Sequence, residues 1–421
     1  MNVWILQTGE PLHLDSVLLR PMRAINLANA LVKVGHNVTV LSADFSHTEK
    51  KHRFGYYKEV LVNEKLKYRL IPSPGYQGHM GPKRLFDHWV MGRNLDKLLK
   101  QESQRPDVAF VGFPPIEVAF WMTRWLKKNN IPSLIDVKDQ WPVIFVKALP
   151  SAARPIGRIA FFLYFYMAKM AMCNASGITS MAQSFLDWAL KFVGRHQNHN
   201  DRVVPLTSPE PSISSDSYQL ARSFWQQKGV TWDRAKVSFV GTHSAAFDMG
   251  PIVSAARYFA INKISVDFVI CGSGPMTDQW KEAFSDLENV YFPGWVDSAQ
   301  SAVLLDNSLA VLAPYFSTDN FVVNIPNKVV DGLSHGKVIL TGLKGEVEAL
   351  IKDHQAGLFY DEGEKSLEQC IEILLRDGQL LSNIETNAFK LYQDQFEFNR
   401  VYNGLVAHLE GLANETTVCK K

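Results

Sequence analysis

Asn324-Ile325-Pro326-Asn327-Lys328-Val329-Val330-Asp331-Gly332-Leu333-Ser334-His335-Gly336-Lys337-Val338-Ile339-Leu340 is the stretch from which the rest of the chain can be read. Pro326 suits the first turn of a helix, where no backbone N–H is needed. Asp331 falls within the next two turns, Gly336 stands where a helix stops, and a β-branched run follows. The spacing predicts a loop, a short helix, a turn and a buried strand. The helix N-terminus would offer N–H groups and partial positive charge to an anion such as a phosphate. Lys328 adds a mobile cation and Asp331 an acceptor suited to a pair of hydroxyls. Together these are the parts of a grip on a sugar nucleotide. An ordinary capped α/β connection accounts for the same residues.

The neighbouring segments keep one rhythm. Lys236-Val237-Ser238-Phe239-Val240 predicts a strand ending at Gly241, followed by Thr242 and His243 and then a helix over 252–261. Val266-Asp267-Phe268-Val269-Ile270 predicts a strand that runs into Cys271-Gly272-Ser273-Gly274-Pro275. There Gly272 and Gly274 free the backbone for close approach of a ligand. Asn289-Val290-Tyr291-Phe292 leads to Pro293-Gly294-Trp295, and Leu309-Ala310-Val311-Leu312 to Ala313-Pro314-Tyr315. Gly357-Leu358-Phe359-Tyr360 is a last strand.

The first half has the same alternation. Val3-Trp4-Ile5-Leu6 ends at Thr8-Gly9, and a loop carrying Glu10 follows. Ile25, Ala28, Leu31 and Val32 are spaced for a helix over 22–34 that Gly35 stops. Val38-Thr39-Val40-Leu41 completes a βαβ unit, which implies a parallel sheet with a right-handed crossover. Residues 50–69 are polar and basic and read as exposed. Residues 72–82 read as a Pro/Gly-rich loop, either beside a cleft or plain surface. Asp107-Val108-Ala109-Phe110-Val111 is a strand, 117–128 a helix, and Ser133-Leu134-Ile135-Asp136 a strand running into Val137-Lys138-Asp139-Gln140-Trp141-Pro142. Open α/β sheets place functional groups in such loops. A surface Lys–Asp pair with a core Trp is the alternative.

Ile159-Ala160-Phe161-Phe162-Leu163-Tyr164-Phe165-Tyr166-Met167-Ala168 is apolar nearly all round and flanked by Arg154, Arg158 and Lys169. It is too short to span a bilayer. Its composition fits a helix lying in a membrane interface and equally a helix buried in a large domain. Gly177-Ile178-Thr179-Ser180 is expected to close the first sheet. His, Asn, Asp, Pro and Ser dominate 194–217 and mark a boundary.

The expected fold class is therefore α/β, with two doubly wound Rossmann-like domains facing a central cleft. The expected boundaries are 1–200 for a first domain, 201–235 for a linker, 236–385 for a second domain, and 386–421 for helices packing back toward the first. A length of 421 residues, 46% hydrophobic and 20% charged, suits two such cores. The formal net charge of +2 argues against a general nucleic-acid binder. Cys173, Cys271, Cys370 and Cys419 have neither metal-ligand nor redox spacing. Together with an amino terminus that enters a strand directly, they predict a cytoplasmic protein without a disulfide framework or zinc site. No G-x-S-x-G, Walker sequence, His/Glu metal spacing or GxGxxG is present. What remains is phosphate chemistry by backbone amides and lysine, which needs no cofactor or metal. Gly9, Thr242, His243, Asn324 and Lys328 are candidates to stabilise a departing diphosphate. A base can lie along the segment after Gly294, against Trp295.

In their order these segments resemble the family-4 nucleotide-sugar glycosyltransferases of the GT-B fold, particularly those of bacterial surface-polysaccharide clusters. The resemblance runs from Gly9-Glu10-Pro11 through Arg23, Leu27-Ala28 and Gly35-His36-Asn37-Val38 to Ser42-Ala43-Asp44-Phe45. It continues through Asp136-Val137-Lys138-Asp139-Gln140-Trp141-Pro142, Phe239-Val240-Gly241-Thr242 and Cys271-Gly272-Ser273-Gly274-Pro275, and reaches the opening stretch. It implies retaining, metal-independent transfer, with a UDP-sugar as the expected donor and a glycan or polyprenyl-linked glycan as the acceptor. By that resemblance Asp331 matches the second Glu of a paired-glutamate motif that holds the ribose. The first Glu is absent, with Val323 or Asn324 standing near its place. Thr242-His243 replaces the usual basic residues after Gly241, and Lys328 compensates. Lys138 beside Asp139 stands in the place of the family's catalytic His. Lys138, Asp139 and Lys328 are the expected catalytic residues. Gly9, Glu10, Gly241, Thr242, His243, Gly272, Gly274, Trp295, Asn324 and Asp331 are the expected donor contacts. The helix at 159–168 would make a peripheral contact with the cytoplasmic membrane face. A nucleotide-sugar epimerase of the same fold and a non-catalytic scaffold are the alternatives.

Overall fold

The computed structural model describes residues 1–15, 21–78, 81–210, 212–361, 363 and 365–418. Cys419 and the end of the C-terminal segment lie outside them. The chain forms two units, Met1–Val204 with Tyr402–Lys421, and Pro205–Val401.

In the first unit the strands are β1 (Asn2–Leu6), β2 (Asn37–Ala43), β3 (Phe45–Ser46), β4 (Lys51–His52), β5 (Lys58–Asn63), β6 (Leu66–Ile71), β7 (Val108–Phe113), β8 (Ser133–Val137), β9 (Gly177–Ser180) and β10 (Arg202–Val203). The helices are α1 (Arg23–Lys33), α2 (Pro82–Lys100), α3 (Ile116–Lys128), α4 (Val143–Lys147), α5 (Arg154–Ala160), α6 (Phe162–Asn174) and α7 (Gln183–Val193). Among the described residues eight strands make one sheet in the order β10-β9-β8-β7-β1-β2-β6-β5. It is parallel except for β5 against β6. β3 and β4 form a separate antiparallel pair.

The second unit holds α8 (Ser215–Gln227), β11 (Ala235–Val240), α9 (Gly250–Ile261), β12 (Val266–Cys271), α10 (Thr277–Ala283), β13 (Val290–Gly294), α11 (Ser298–Asp306) and β14 (Ala310–Leu312). It continues with α12 (Asn327–Ser334), β15 (Val338–Thr341), α13 (Glu346–His354), β16 (Gly357–Phe359), α14 (Leu367–Arg376) and α15 (Gly378–Leu391). The last helix, α16 (Phe398–Val418), begins in this unit and ends in the first. The sheet order is β13-β12-β11-β14-β15-β16, all parallel. Both units are thus doubly wound Rossmann-like sheets. The order reverses at β1 in one and at β11 in the other, so a crevice opens there at the strands' carboxyl ends.

Burial on both faces explains the apolar runs that made these strands legible. β12 and β15 are buried at every position. One charged pair interrupts the second core. Lys236 of β11 is fully buried, 3.0 Å from Asp267 of β12, which also accepts from Arg234 Nε at 2.7 Å.

Several expectations need correction. Residues 50–69 are not simply exposed: Leu66, Tyr68 and Arg69 are buried, because β6 is an inner strand paired to β2 and shielded at the edge by β5. Helix α2 follows the Pro/Gly-rich loop and has no counterpart in the sequence reading, though Pro82 opens it and His88, Met91, Leu95 and Leu99 recur at helical spacing on its buried face. The apolar segment 159–168 is not one helix. It breaks at Phe161, where α5 and α6 bend by 66°. β9 does not close its sheet, since β10 pairs beyond it. The stretch 201–235 contains β10 and α8, whose Trp225 is buried and donates to Gln300 O at 3.0 Å. Pro326 is the residue before the first helical one rather than part of the first turn.

Removing one partner of a buried ion pair leaves the other uncompensated, so Asp267→Ala should cost about 3–5 kcal/mol in urea denaturation of the whole protein. A cost below that of an exposed pair, about 1 kcal/mol, would contradict this account of the second core.

Candidate functional site

In the second unit, the loops after β11, β12 and β13 are stitched together by their own backbone. Gly241 N–H donates to Cys271 O at 3.0 Å, His243 N–H to Ser273 O at 3.1 Å, and Gly272 N–H to Gly294 O at 2.7 Å. Two glycines make this possible. A Cβ on Gly272 (φ +122°) would lie 1.9 Å from Gly241 O, and one on Gly274 would lie 2.3 Å from His243 O. The hydroxyl of Thr277 accepts from Gly274 N–H at 2.8 Å and meets His243 Nδ1 at 2.9 Å. His243 is buried against Trp280, and burial, reinforced by Lys328 and Lys281, holds its imidazole below the usual value.

Lys328, in the first turn of α12, reaches this nest. Its ammonium donates to Val240 O and lies 4.3 Å from the centre of the Phe239 ring. A Cβ on Gly241 would fall 1.7 Å from Lys328 Nζ, so glycine is what admits the lysine. Burial lowers the Lys328 pKa to about 8, against the opposing charge of Asp331 one turn along the helix. No side chain caps α12, and its N-terminal N–H groups therefore retain their attraction for an anion. Asn324 is buried, with its N–H on Phe321 O at 3.1 Å, and braces the loop before the helix. Trp295 follows β13 with 55% of its surface exposed. Gly241, His243, Gly272, Gly274 and Lys328 thus meet at one place. Thr242 is exposed beside them, and Asp331 acts on Lys328 and Tyr315 through its charge.

In the first unit the expected residues divide. Gly9 and Thr8 line a cavity of about 100 Å³ at the ends of β1, β2 and β7. Glu10 and Lys138 are tied to each other at 2.5 Å. Lys138 also lies 3.7 Å from Asp136, and Glu10 accepts the Ala24 N–H at 2.8 Å, at the start of α1. Asp136 in turn accepts from Thr179 at 2.8 Å and from Arg23 at 3.4 Å. Lys138 therefore holds the β1–α1 loop against β8. Burial raises the Asp139 carboxyl to about 6, with Arg84 and Lys138 opposing.

The cavity's other chemistry comes from residues the sequence reading passed over: His47, Tyr76, Arg84, Asp87 and His88. Three of them stand on α2. The available signal was a Pro-initiated helical period after a Pro/Gly-rich loop for which a place beside a cleft was one of two readings.

Comparison with known proteins follows this geometry. Residues 234–377 match the family described as Glycosyl transferases group 1. No curated protein matches the chain in sequence. Solved structures match it along its whole length. Sucrose-phosphate synthase from Thermosynechococcus elongatus is 12% identical with a TM-score of 0.71 and 100% coverage of both chains. WaaG, a glycosyltransferase involved in lipopolysaccharide biosynthesis, is 12% identical with a TM-score of 0.64, covering 97% of this chain and 100% of that one. Anabaena HepE in complex with UDP-glucose is 14% identical with a TM-score of 0.65, covering 98% and 100%. The fold is that of the GT-B glycosyltransferases.

Gly272→Ala should cost about 1–3 kcal/mol through backbone strain and collision with Gly241 O. Chemical denaturation checks this. An unchanged midpoint would mean that the loops are not held in this arrangement.

Proposed function

We propose that the protein is a retaining glycosyltransferase that moves a sugar from a UDP-sugar to a glycan or lipid-linked glycan acceptor in surface-polysaccharide biosynthesis. The observation that carries the donor half is the Lys328 ammonium seated against Gly241 at an uncapped helix N-terminus. Those groups can stabilise a departing diphosphate from fixed positions, without solvent reorganisation. Asp331 lies on the same helix, where it can hold the ribose hydroxyls, and Trp295 can cover the base. The positive charge at the phosphates comes from Lys328 and the helix, so the reaction needs no metal and should survive EDTA. The match of 234–377 to Glycosyl transferases group 1 supports this reading, and UDP-glucose in Anabaena HepE supports the choice of donor.

The lipid-linked acceptor has its own support in the first unit. Ile156, Ile159, Phe162, Leu163 and Tyr166 of α5 and α6 are each at least half exposed. Lys147, Arg154, Arg158 and Lys169, also exposed, are set among them. Apolar side chains interleaved with cations match an anionic bilayer surface. In this reading the protein works at the cytoplasmic membrane face.

Thermal stabilisation by a panel of nucleotide sugars identifies the donor. Lys328→Ala and Asp331→Ala should each weaken it by roughly ten- to a hundred-fold, the loss of about 1.5–3 kcal/mol from a charged hydrogen bond. Because the ammonium is the binding form and its pKa is about 8 in the empty site, wild-type affinity should fall as pH rises through and above 8. If both variants bind as wild type does, the donor assignment fails.

Co-sedimentation with phosphatidylglycerol vesicles should be strong at low salt and should fall at least five-fold for Ile159→Glu with Phe162→Glu. Equal sedimentation of wild type and variant would remove the membrane assignment.

A further inference from the structure

The cavity of the first unit is lined by His47, Arg84, His88 and Asp87 about one phenol, with Lys50 beside it. Tyr76 is buried, and its hydroxyl lies 2.6 Å from His47 Nδ1. Lys50 Nζ sits 4.7 Å from the centre of its ring and the Arg84 guanidinium 5.8 Å. Arg84 is also 5.2 Å from the Trp141 ring. His88 stands between the same two rings, with centroids 6.2 Å from Tyr76 and 5.8 Å from Trp141. It is 3% exposed, lines the cavity, and among the described residues its Nδ1 has no hydrogen-bond partner.

The basic groups among these repel one another. Burial and then Arg84 lower the Lys50 pKa. Burial, Arg84 and His47 press His88 down to about 3, so it stands neutral with an N–H to give. Such a cluster gains from an anion, which relieves the repulsion and accepts several charge-assisted hydrogen bonds at once. Two carboxylates stand nearby: Asp87 accepts the Gly75 N–H at 2.6 Å, and Asp139, whose carboxyl burial raises to about 6, feels both Arg84 and Lys138. About 100 Å³ is room for a phosphate or carboxylate group.

We propose that this cavity binds an anionic group of the acceptor, a phosphate or a carboxylate, through Arg84, Lys50 and the His88 imidazole. The site would make the enzyme selective for a charged acceptor, such as a sugar phosphate or a uronic acid residue. The assignment to the acceptor rests on the transferase reading, whereas the anion site itself does not.

The test uses full-length Lys328→Ala protein, in which the phosphate grip of the second unit is removed. Inorganic phosphate and D-glucuronate are titrated at constant ionic strength, with chloride and D-glucose as controls, and thermal stabilisation is read. At least one anion should stabilise saturably. Arg84→Gln in that background should weaken it at least ten-fold, and Lys50→Gln should weaken it several-fold without disturbing the buried part of the cavity. A response to phosphate alone identifies a phosphorylated acceptor, and one to glucuronate alone a uronate. Stabilisation no greater than that by chloride, equal binding of glucose, or undiminished binding by both variants would overturn the proposal. In otherwise wild-type protein, Arg84→Gln should leave UDP-sugar stabilisation intact, so failure here is distinguishable from failure of the donor reading.

Discussion

A buried ammonium must find an acceptor or lose its charge, and in this protein Lys328 finds Val240 O. Much of the second unit's crevice depends on that meeting. It requires glycine at 241, because any Cβ would occupy the position of the ammonium. It requires α12 to lie close on its sheet, which Gly332 allows, since a Cβ there would press within 2.4 Å of Ile339. It also requires the loops after β11 and β12 to run in contact, which Gly272 and Gly274 permit. The apolar strands supply the stability that carries a charge in so confined a place. In the proposed reading that charge is what the crevice offers a diphosphate.

The first unit solves a similar problem with several side chains instead of one. Glu10, Lys138, Asp136 and Arg23 form a chain of opposed charges running from the β1–α1 loop to β9. This fixes the loop that carries Gly9 at the rim of the cavity. Lys138 thereby ties this loop to β8. Its ammonium is occupied by two carboxylates, while Tyr76, Arg84, Asp87 and His88, which line the cavity, stand on α2 and on the loop before it.

Most of the architecture was legible in the sequence because parallel strands buried on both faces are written as uninterrupted apolar runs. Val237, Phe239, Phe268, Val269 and Ile270 announce two strands without reference to anything distant. The opening stretch likewise yielded its helix, its turn at Gly336 and its strand. The edge of the first sheet was hidden, since Lys67 and Arg69 make β6 look like surface. Its burial comes from partners that only the fold brings to it. The first cavity was hidden for a related reason. Arg84, Asp87 and His88 look like the polar side of a surface helix until Tyr76, from the loop before α2, and Trp141, distant in sequence, enclose them. The contact between Glu10 and Lys138 was hidden by the same limit, because nothing in their spacing says that they bind each other.

The last helix has a consequence for the order in which the protein is made. Leu405, Leu409 and Leu412 are buried in the first unit, and Glu410 meets His36 at 2.8 Å. The first two hundred residues therefore leave the ribosome without part of their own core. The second unit, continuous in sequence, has all its strands first. The residues that complete the first unit's core are thus synthesised after the whole of the second unit.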